Sequence, residues 1–382
     1  MASTSGIAIL GAGIFAKEAH IPALAALGAA APPLKAVYSR SEKSASDLAS
    51  VAASKLSLAS PPSVYHDGGD EAASLNALLA RSDISAVIVI LPIPTQPDVI
   101  LKALAAGKHV LSEKPIAPDV DAGVQLIKQY TDVFKPKGLI WRVAENFELE
   151  TGFLTAAKIV KEGKIGDVIS FRATVVNHIQ VDNKYYNTSW RTVPKYQGGF
   201  LLDGGVHFAA GLRTVLGRPI DRISSFAALN RDILPPHDTI HAIAAAGRAH
   251  GTITITFASP TKSKADADDY VFIGTKGWTS IRILPDRKLY RVTTKWRASD
   301  DSSGEEQEET AEVPQGQGVA RELGAFLDAV AGKADAPRVG APADALRDVA
   351  FIQAALTSEG APVDLLKLVE GSENARSTFV AQ

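Results

Sequence analysis

Three constellations in the chain have residue types and spacings suited to chemistry. In the first, an apolar run delivers Glu113-Lys114-Pro115, a carboxylate, an ammonium group and a rigid imide in succession. If the run is a β-strand ending on the carboxyl edge of an open sheet, Lys114 points into a ligand crevice; on any other edge it is an ordinary surface lysine. The proline disfavours helix at the preceding residue and so holds Lys114 in extended geometry. Glu113 can pair with a cation or hold ligand hydroxyls. In the second, Asp203 and His207 stand four apart within GGFLLDGGVHFAAG (Gly198–Gly211). On a helix this spacing sets them side by side, and a histidine paired with an acid suits general acid–base work. If a helix begins near Gly204 instead, Asp203 sits at or near its N-cap, a place aspartate favours for capping alone. Four nearby glycines remove side chains where a ligand or another backbone would approach.

The third is Gly11-Ala12-Gly13-Ile14-Phe15-Ala16, which fits G-x-G-x-x-[GA] between a strand and a helix. Glycines there permit a tight turn and let backbone N–H groups approach a pyrophosphate, with Gly11, Gly13, Ile14 and Phe15 as candidate contacts. Small residues also serve ordinary packing, so the pattern takes its meaning from its place as the first βα turn of an alternating chain. An NAD site usually supplies an acid about 20 residues further on. Here the second strand ends in Tyr38-Ser39-Arg40. A hydroxyl and a guanidinium suit a 2′-phosphate and so favour NADP over NAD; in the competing reading Arg40 is a surface residue and Glu42 holds the ribose. Leu91, Pro92, Thr95 and Gln96, in LPIPTQPD (Leu91–Asp98), lie where a central strand gives out. They form either a stiff loop pressing on the nicotinamide ribose or a rigid strand-to-helix connection. HDTIH (His237–His241) resembles a metal motif, but its surroundings alternate as a strand does. Four strand residues span roughly 13 Å, too far for both rings to reach one ion, and no metal is expected.

The elements that must position these residues alternate through residues 1–145. Gly6–Gly13 reads as a buried strand running into the glycine turn, Ile14–Leu27 as a helix, Leu34–Ser39 as a strand and Ser44–Ala53 as a helix. Ala86–Leu91 and His109–Ser112 follow as strands with helical Val99–Ala106 between them, and Gly138–Ala144 as a last strand. Short strands alternating with helices imply βαβ units and a parallel, doubly wound Rossmann sheet. From Asn146 the pattern changes to a helix at Thr151–Glu162, a long strand at Asp167–Ile179 and a helix near Val206–Leu216. Strands then follow at Arg222–Ala228, Thr239–Ala246, Gly251–Phe257, Tyr270–Gly274, Thr279–Leu284 and Lys288–Thr294. Such a succession implies an open, mainly antiparallel sheet with helices on one face, an α+β domain over residues 146–382. The charge run Ser299–Thr310 is expected at a solvated hairpin tip, and helices at Val319–Ala331 and Ala343–Thr357 close the chain.

Composition bounds the function classes. At 382 residues with 46% apolar and 21% charged side chains, the chain reads as two or three globular domains. A balance of 40 basic and 42 acidic residues favours neither nucleic acid nor a membrane surface as partner. The absence of cysteine excludes disulfides and thiolate chemistry and suits a cytoplasmic setting. MASTSG has neither the basic nor the apolar region of a secretory signal, and AVIVILPI (Ala86–Ile93) is too short to span a bilayer.

Taken together, GAGIFA, AGKHVLSEKPIA, ENF, SWR, GGFLLDGGVH and DALRDVAFIQAALTSEG resemble the glucose–fructose oxidoreductase / inositol dehydrogenase / MocA (Gfo/Idh/MocA) family, in order and over nearly the whole length. VAEN, NTSWR and GGFLLDGGVH look most like a fungal branch of NADPH-dependent oxidoreductases. The resemblance implies that Lys114 lies beside the nicotinamide, that Asp203 and His207 complete the site, and that Trp190 and Arg191 reach back over the cofactor. Asn146 of ENF joins these contacts. It also implies an antiparallel sheet whose open face makes homodimers. Two positions depart from the pattern: Gln96 stands where many members carry histidine, and His207 where dihydrodiol and xylose dehydrogenases carry tyrosine. On this reading hydride moves between the nicotinamide and a carbonyl or carbinol carbon of a sugar, polyol or small carbonyl compound. Lys114 would stabilise charge on the substrate oxygen, His207 would supply the proton, and Asp203 would orient the histidine. Two other readings share the glycine turn. A regulator that binds NADPH without turnover has no need of Lys114, Asp203 and His207 together. A redox-neutral relative that cleaves glycosidic bonds by transient oxidation would show no net NADPH consumption.

Overall fold

The computed structural model describes residues 5–262, 269–297 and 305–377. The leading MAST and residues 299–304 of the charge run lie outside the described residues.

The first sheet comprises β1 (Gly6–Leu10), β2 (Leu34–Ser39), β3 (Ser63–His66), β4 (Ile84–Val89), β5 (His109–Glu113) and β6 (Trp141–Ala144). Their order is β3-β2-β1-β4-β5-β6 and every pairing is parallel. β1 is buried along its whole length, as a parallel sheet covered on both faces requires. From β1 the chain works outward through β2 and β3 on one side, and from β4 through β5 and β6 on the other. The carboxyl ends of β1 and β4 therefore flank the switch point where doubly wound sheets bind ligands. The intervening helices are α1 (Ile21–Leu27), α2 (Glu42–Lys55), α3 (Leu75–Leu79), α4 (Gln96–Ala105) and α5 (Val120–Gln129). α2 starts where Ser41 accepts the N–H of Ser44, and it buries Ala45, Leu48, Ala49 and Ala52 at helical spacing. Leu48 joins Ile9, Ile88 and Leu111 in the core, each contributing roughly 1.5–3 kcal/mol by leaving water. The helix expected over Ile14–Leu27 opens with a π-helical turn, Ala16–His20, before α1.

The second sheet contains β7 (Val168–Val176), β8 (Arg222–Ala228), β9 (Thr239–Ala246), β10 (Ala249–Thr256), β11 (Asp269–Gly274), β12 (Gly277–Leu284), β13 (Leu289–Arg297), β14 (Glu306–Pro314) and β15 (Val363–Asp364). It is antiparallel except where β7 runs parallel to β10. Burial alternates along β10, the mark of a sheet covered on one face. That cover comes from α6 (Thr151–Lys161) and α8 (Phe200–Leu216); between them α7 is the short turn Ser189–Thr192. Phe153 of α6 is fully buried and meets Tyr270 of β11 edge-on at 5.0 Å between centroids.

Two expectations need correction here. α8 begins at Phe200, with Gly199 at its N-cap, rather than near Val206. Phe200, Leu201 and Leu202 are buried, so the apolar stripe draws the helix start back past Asp203. The Asp203 N–H donates to the Gly199 carbonyl at 3.1 Å, which places Asp203 inside the first turn and removes the capping reading. The described end of the charge run, Glu306–Thr310, is likewise strand and not hairpin tip: it is the first half of β14. Opposite charges across the edge pair explain this, with Lys295 2.9 Å from Glu308 and Arg291 2.8 Å from Glu312.

The remaining helices are α9 (Gly318–Val330), α10 (Pro342–Thr357) and α11 (Leu365–Ser377). The chain divides into two compact units: Met1–Ala117, Ala122–Glu145 and Val319–Ala343 form the first, and Pro118–Asp121, Asn146–Gly318 and Asp344–Gln382 the second. This differs from a single boundary after residue 145, because α9 returns to the first unit. Leu323, Phe326 and Leu327 enter that unit's core, and Arg142 Nη1 donates to the carbonyls of Ala325 (3.1 Å) and Pro337 (2.7 Å). Among the described residues no helix is long and apolar enough to cross a membrane.

Candidate active site

In the first unit the candidate cofactor residues gather at the carboxyl ends of β1, β2, β4 and β5. Ile90 N–H donates to the Leu10 carbonyl at 2.7 Å, which draws the chain after β4 against the turn after β1. Gly11 has φ +118°, and a Cβ there would collide with the Ile90 carbonyl oxygen. Only glycine fits that position. Gly13, by contrast, faces open space, so backbone is bare there. Ile14 and Phe15 are half-buried as the helical run begins.

Ser39 is the last residue of β2 and Arg40, exposed, the next. In register Ser39 pairs with His66, so β2 and β3 end level. Asp67, just beyond, accepts from the Tyr38 hydroxyl at 2.6 Å; burial first and Asp67 second push that hydroxyl's pKa up. Asp67 is thus engaged by Tyr38. Glu42 is 74% exposed and stands 4.0 Å from His66 Nε2. Leu91 and Pro92 are half-buried, and Thr95, exposed, donates from Oγ1 to the Pro92 carbonyl at 2.8 Å. Gln96 is fully buried, and its Nε2 lies 3.4 Å from the Pro115 carbonyl, tying the β4–α4 loop to the residue after Lys114.

Glu113 ends β5, buried, with Oε1 2.6 Å from Nε2 of His20. Lys114 follows, half-buried, and its bond to Pro115 is cis. His20 was not legible as a site residue: a single histidine 93 residues from its partner carries no local signal.

In the second unit Trp190 and Arg191 lie on α7, Asp203 and His207 on α8, and Asn146 on the 3-10 turn Asn146–Glu148. The Arg191 guanidinium lies over the Trp190 ring at 3.9 Å and faces Tyr185 at 5.4 Å. Its Nε donates to Asp203 Oδ2 at 2.6 Å, and its Nη1 to Thr188 Oγ1 at 3.3 Å. His207 is half-buried, edge-on to Phe147 at 4.7 Å between centroids. Tyr196 is buried beside this pair; burial and then the Asp203 carboxylate raise its hydroxyl's pKa, with Arg191 opposing. The nearby glycines serve packing rather than ligand approach: the Phe257 ring occupies the place of a Cβ at Gly204, and the Ile352 side chain that at Gly205. Arg191–Asp203 is a contact that sequence spacing alone did not suggest.

A glycine with no room for a side chain and bare backbone beside it at the first strand end fit a bound dinucleotide. The comparisons with known proteins agree with this fold. Residues 5–135 match the oxidoreductase family with an NAD-binding Rossmann fold, and residues 153–280 match the GFO/IDH/MocA C-terminal domain. The chain is 40% identical over 361 residues to dehydrogenase FPY6 of Fusarium mangiferae, covering 92% of this chain and 96% of that protein. It is similar to the crystal structure of an oxidoreductase from Thermotoga maritima, with TM-score 0.79 and 31% identity over 96% of this chain and 99% of that one. A 3-ketoreductase from Actinomadura kijaniata, solved with TDP-benzene and NADP, shares the fold at TM-score 0.67 and 23% identity, covering 93% and 97%. Forty per cent identity along almost the whole length, with both domain families matched in order, makes this chain a member of the Gfo/Idh/MocA family of NAD(P)-binding oxidoreductases.

Proposed function

We propose that the chain is an NADP(H)-dependent oxidoreductase acting on a CH–OH or C=O group of a sugar, polyol or small carbonyl compound. The observation that carries this reading is the gathering of the glycine turn, Ser39–Arg40 and Glu113–Lys114 at the carboxyl ends of one parallel sheet. Backbone N–H groups from Gly11 to Phe15 hold the pyrophosphate, and Ser39 and Arg40 the 2′-phosphate. Leu91, Pro92 and Thr95 would border the nicotinamide side. When bound, the nicotinamide supplies or accepts the hydride. Lys114 is the candidate for stabilising charge on a substrate oxygen, and His207, within the second unit, is the candidate proton donor. Asp203, one turn before His207, orients that histidine while also holding Arg191. The NADP bound by the Actinomadura 3-ketoreductase and the dehydrogenase name of the Fusarium relative support the reading.

The test is loss of reduced-nicotinamide absorbance with a panel of aldehydes, ketoses and keto-sugars. Net consumption of NADPH, one equivalent per carbonyl reduced, is expected. A panel without net consumption by a chain that binds NADPH would favour the regulator or the redox-neutral reading instead.

We also propose that the open face of the second sheet joins two copies. Phe226 on β8 and Ile243 on neighbouring β9 are 68% and 65% exposed on one face, as at an interface. Light scattering of the parent and of Ile243→Glu would check it, with a dimer and a monomer expected.

A further inference from the structure

We propose that His20 is a positioning residue for Glu113, and through it for the nicotinamide end of a bound dinucleotide. The inference rests on the cofactor reading above and gives a role to a side chain outside its motifs. His20 closes the π-helical turn after β1, is fully buried, and sets Nε2 2.6 Å from Glu113 Oε1, whose side chain is 9% exposed. A carboxylate only accepts, so Nε2 is the donor. Phe15 packs edge-on against the imidazole at 5.5 Å between centroids and fixes its plane.

Packing alone does not account for a histidine here. Its Nδ1 is buried and has no hydrogen-bond partner among the described residues. A buried unpaired nitrogen is destabilising, and an apolar side chain of similar shape would avoid it. What histidine adds over leucine or phenylalanine at this place is the bond to Glu113. Among the described residues no other side chain hydrogen-bonds Glu113, so its second oxygen remains as an acceptor. β5 lies two strands from β1 in the sheet, with β4 between. The His20–Glu113 bond therefore fixes the tip of β5 relative to the glycine turn after β1. With the turn on the pyrophosphate and Glu113 on a hydroxyl of the nicotinamide ribose, this one contact sets the span between the two grips on the cofactor.

The experiment titrates the full-length chain with NADPH and with 2′,5′-ADP, which carries the adenosine phosphates but lacks the nicotinamide ribose. His20→Leu is expected to weaken NADPH about tenfold or more, the worth of one hydrogen bond to a charged group, and to leave 2′,5′-ADP within about twofold. His20→Gln, whose side-chain amide can donate in place of Nε2, should recover most of the loss, and Glu113→Gln should weaken NADPH as His20→Leu does. Unchanged NADPH affinity in folded His20→Leu, or equal weakening of both ligands, overturns the proposal. Should His20→Leu fail to fold, Glu113→Gln decides it, with unchanged NADPH affinity again overturning the proposal. A parent chain that binds neither ligand overturns the cofactor reading itself, which no variant result alone can do.

Discussion

Arg191 Nε donates to Asp203 Oδ2 at 2.6 Å, so the acid one turn before His207 anchors a guanidinium lying over Trp190. The two side chains are 15% and 10% exposed. Asp203→Asn would remove the counter-charge that Asp203 gives that guanidinium, and we expect a stability loss of about 1–3 kcal/mol together with reduced turnover. Denaturant midpoints and rates measured side by side check this; an unchanged midpoint would show that the pair contributes nothing.

The proposed preference for NADP rests on Arg40, exposed beside the half-buried Ser39 at the tip of β2. On that proposal, Arg40→Asp would remove a charge-assisted contact to a 2′-phosphate that NADH lacks. NADPH affinity should fall about tenfold or more while NADH affinity holds or improves. Equal affinity of the parent for the two cofactors would rule the assignment out.

Lys114→Met keeps the apolar stem and removes the ammonium group. Folding and NADPH binding are expected to survive, with turnover reduced roughly 10²–10³-fold, the usual effect of losing one electrostatic stabiliser. His207→Asn should cost on the order of 10²-fold through loss of the proton donor. Normal turnover in either variant would remove that residue from the chemistry.

His109 should make stability depend on pH. Its Nδ1 accepts the Ile140 N–H at 3.0 Å, and burial holds its pKa below the ordinary histidine value. The folded state resists a proton that the unfolded chain takes up, so the contribution is complete above the unfolded pKa and lost as pH falls through the folded one. Melting temperature should decline between about pH 7 and 5, and His109→Gln, whose amide oxygen can accept the same N–H, should flatten that decline. Identical slopes would assign the decline to other groups.

Elements with strong local signals were legible in the sequence. Leu34–Ser39, Arg222–Ala228 and Thr239–Ala246 coincide with β2, β8 and β9 residue for residue, because buried apolar runs and period-two alternation show within a few residues. β3 was missed because its four residues are at most half-buried, and β14 because an edge strand of acids and threonine reads as solvated chain. The motifs at Gly11, Lys114 and Asp203 could be found because each is contiguous or one helical turn long. His20–Glu113 and Arg191–Asp203 could not, because the first spans 93 residues and the second 12, and neither partner sits at a telling period.

The return of Val319–Ala343 to the first unit governs the order in which the protein can be made. A ribosome releases every strand of the parallel sheet before it has synthesised Leu323, Phe326 and Leu327, which line the same core. Until then the surface they cover stays exposed to neighbouring nascent chains, the condition under which folding intermediates aggregate. A fragment of residues 1–145 should accordingly be insoluble or molten by near-ultraviolet circular dichroism. Joining residues 319–343 to it through a flexible linker should restore a cooperative melt.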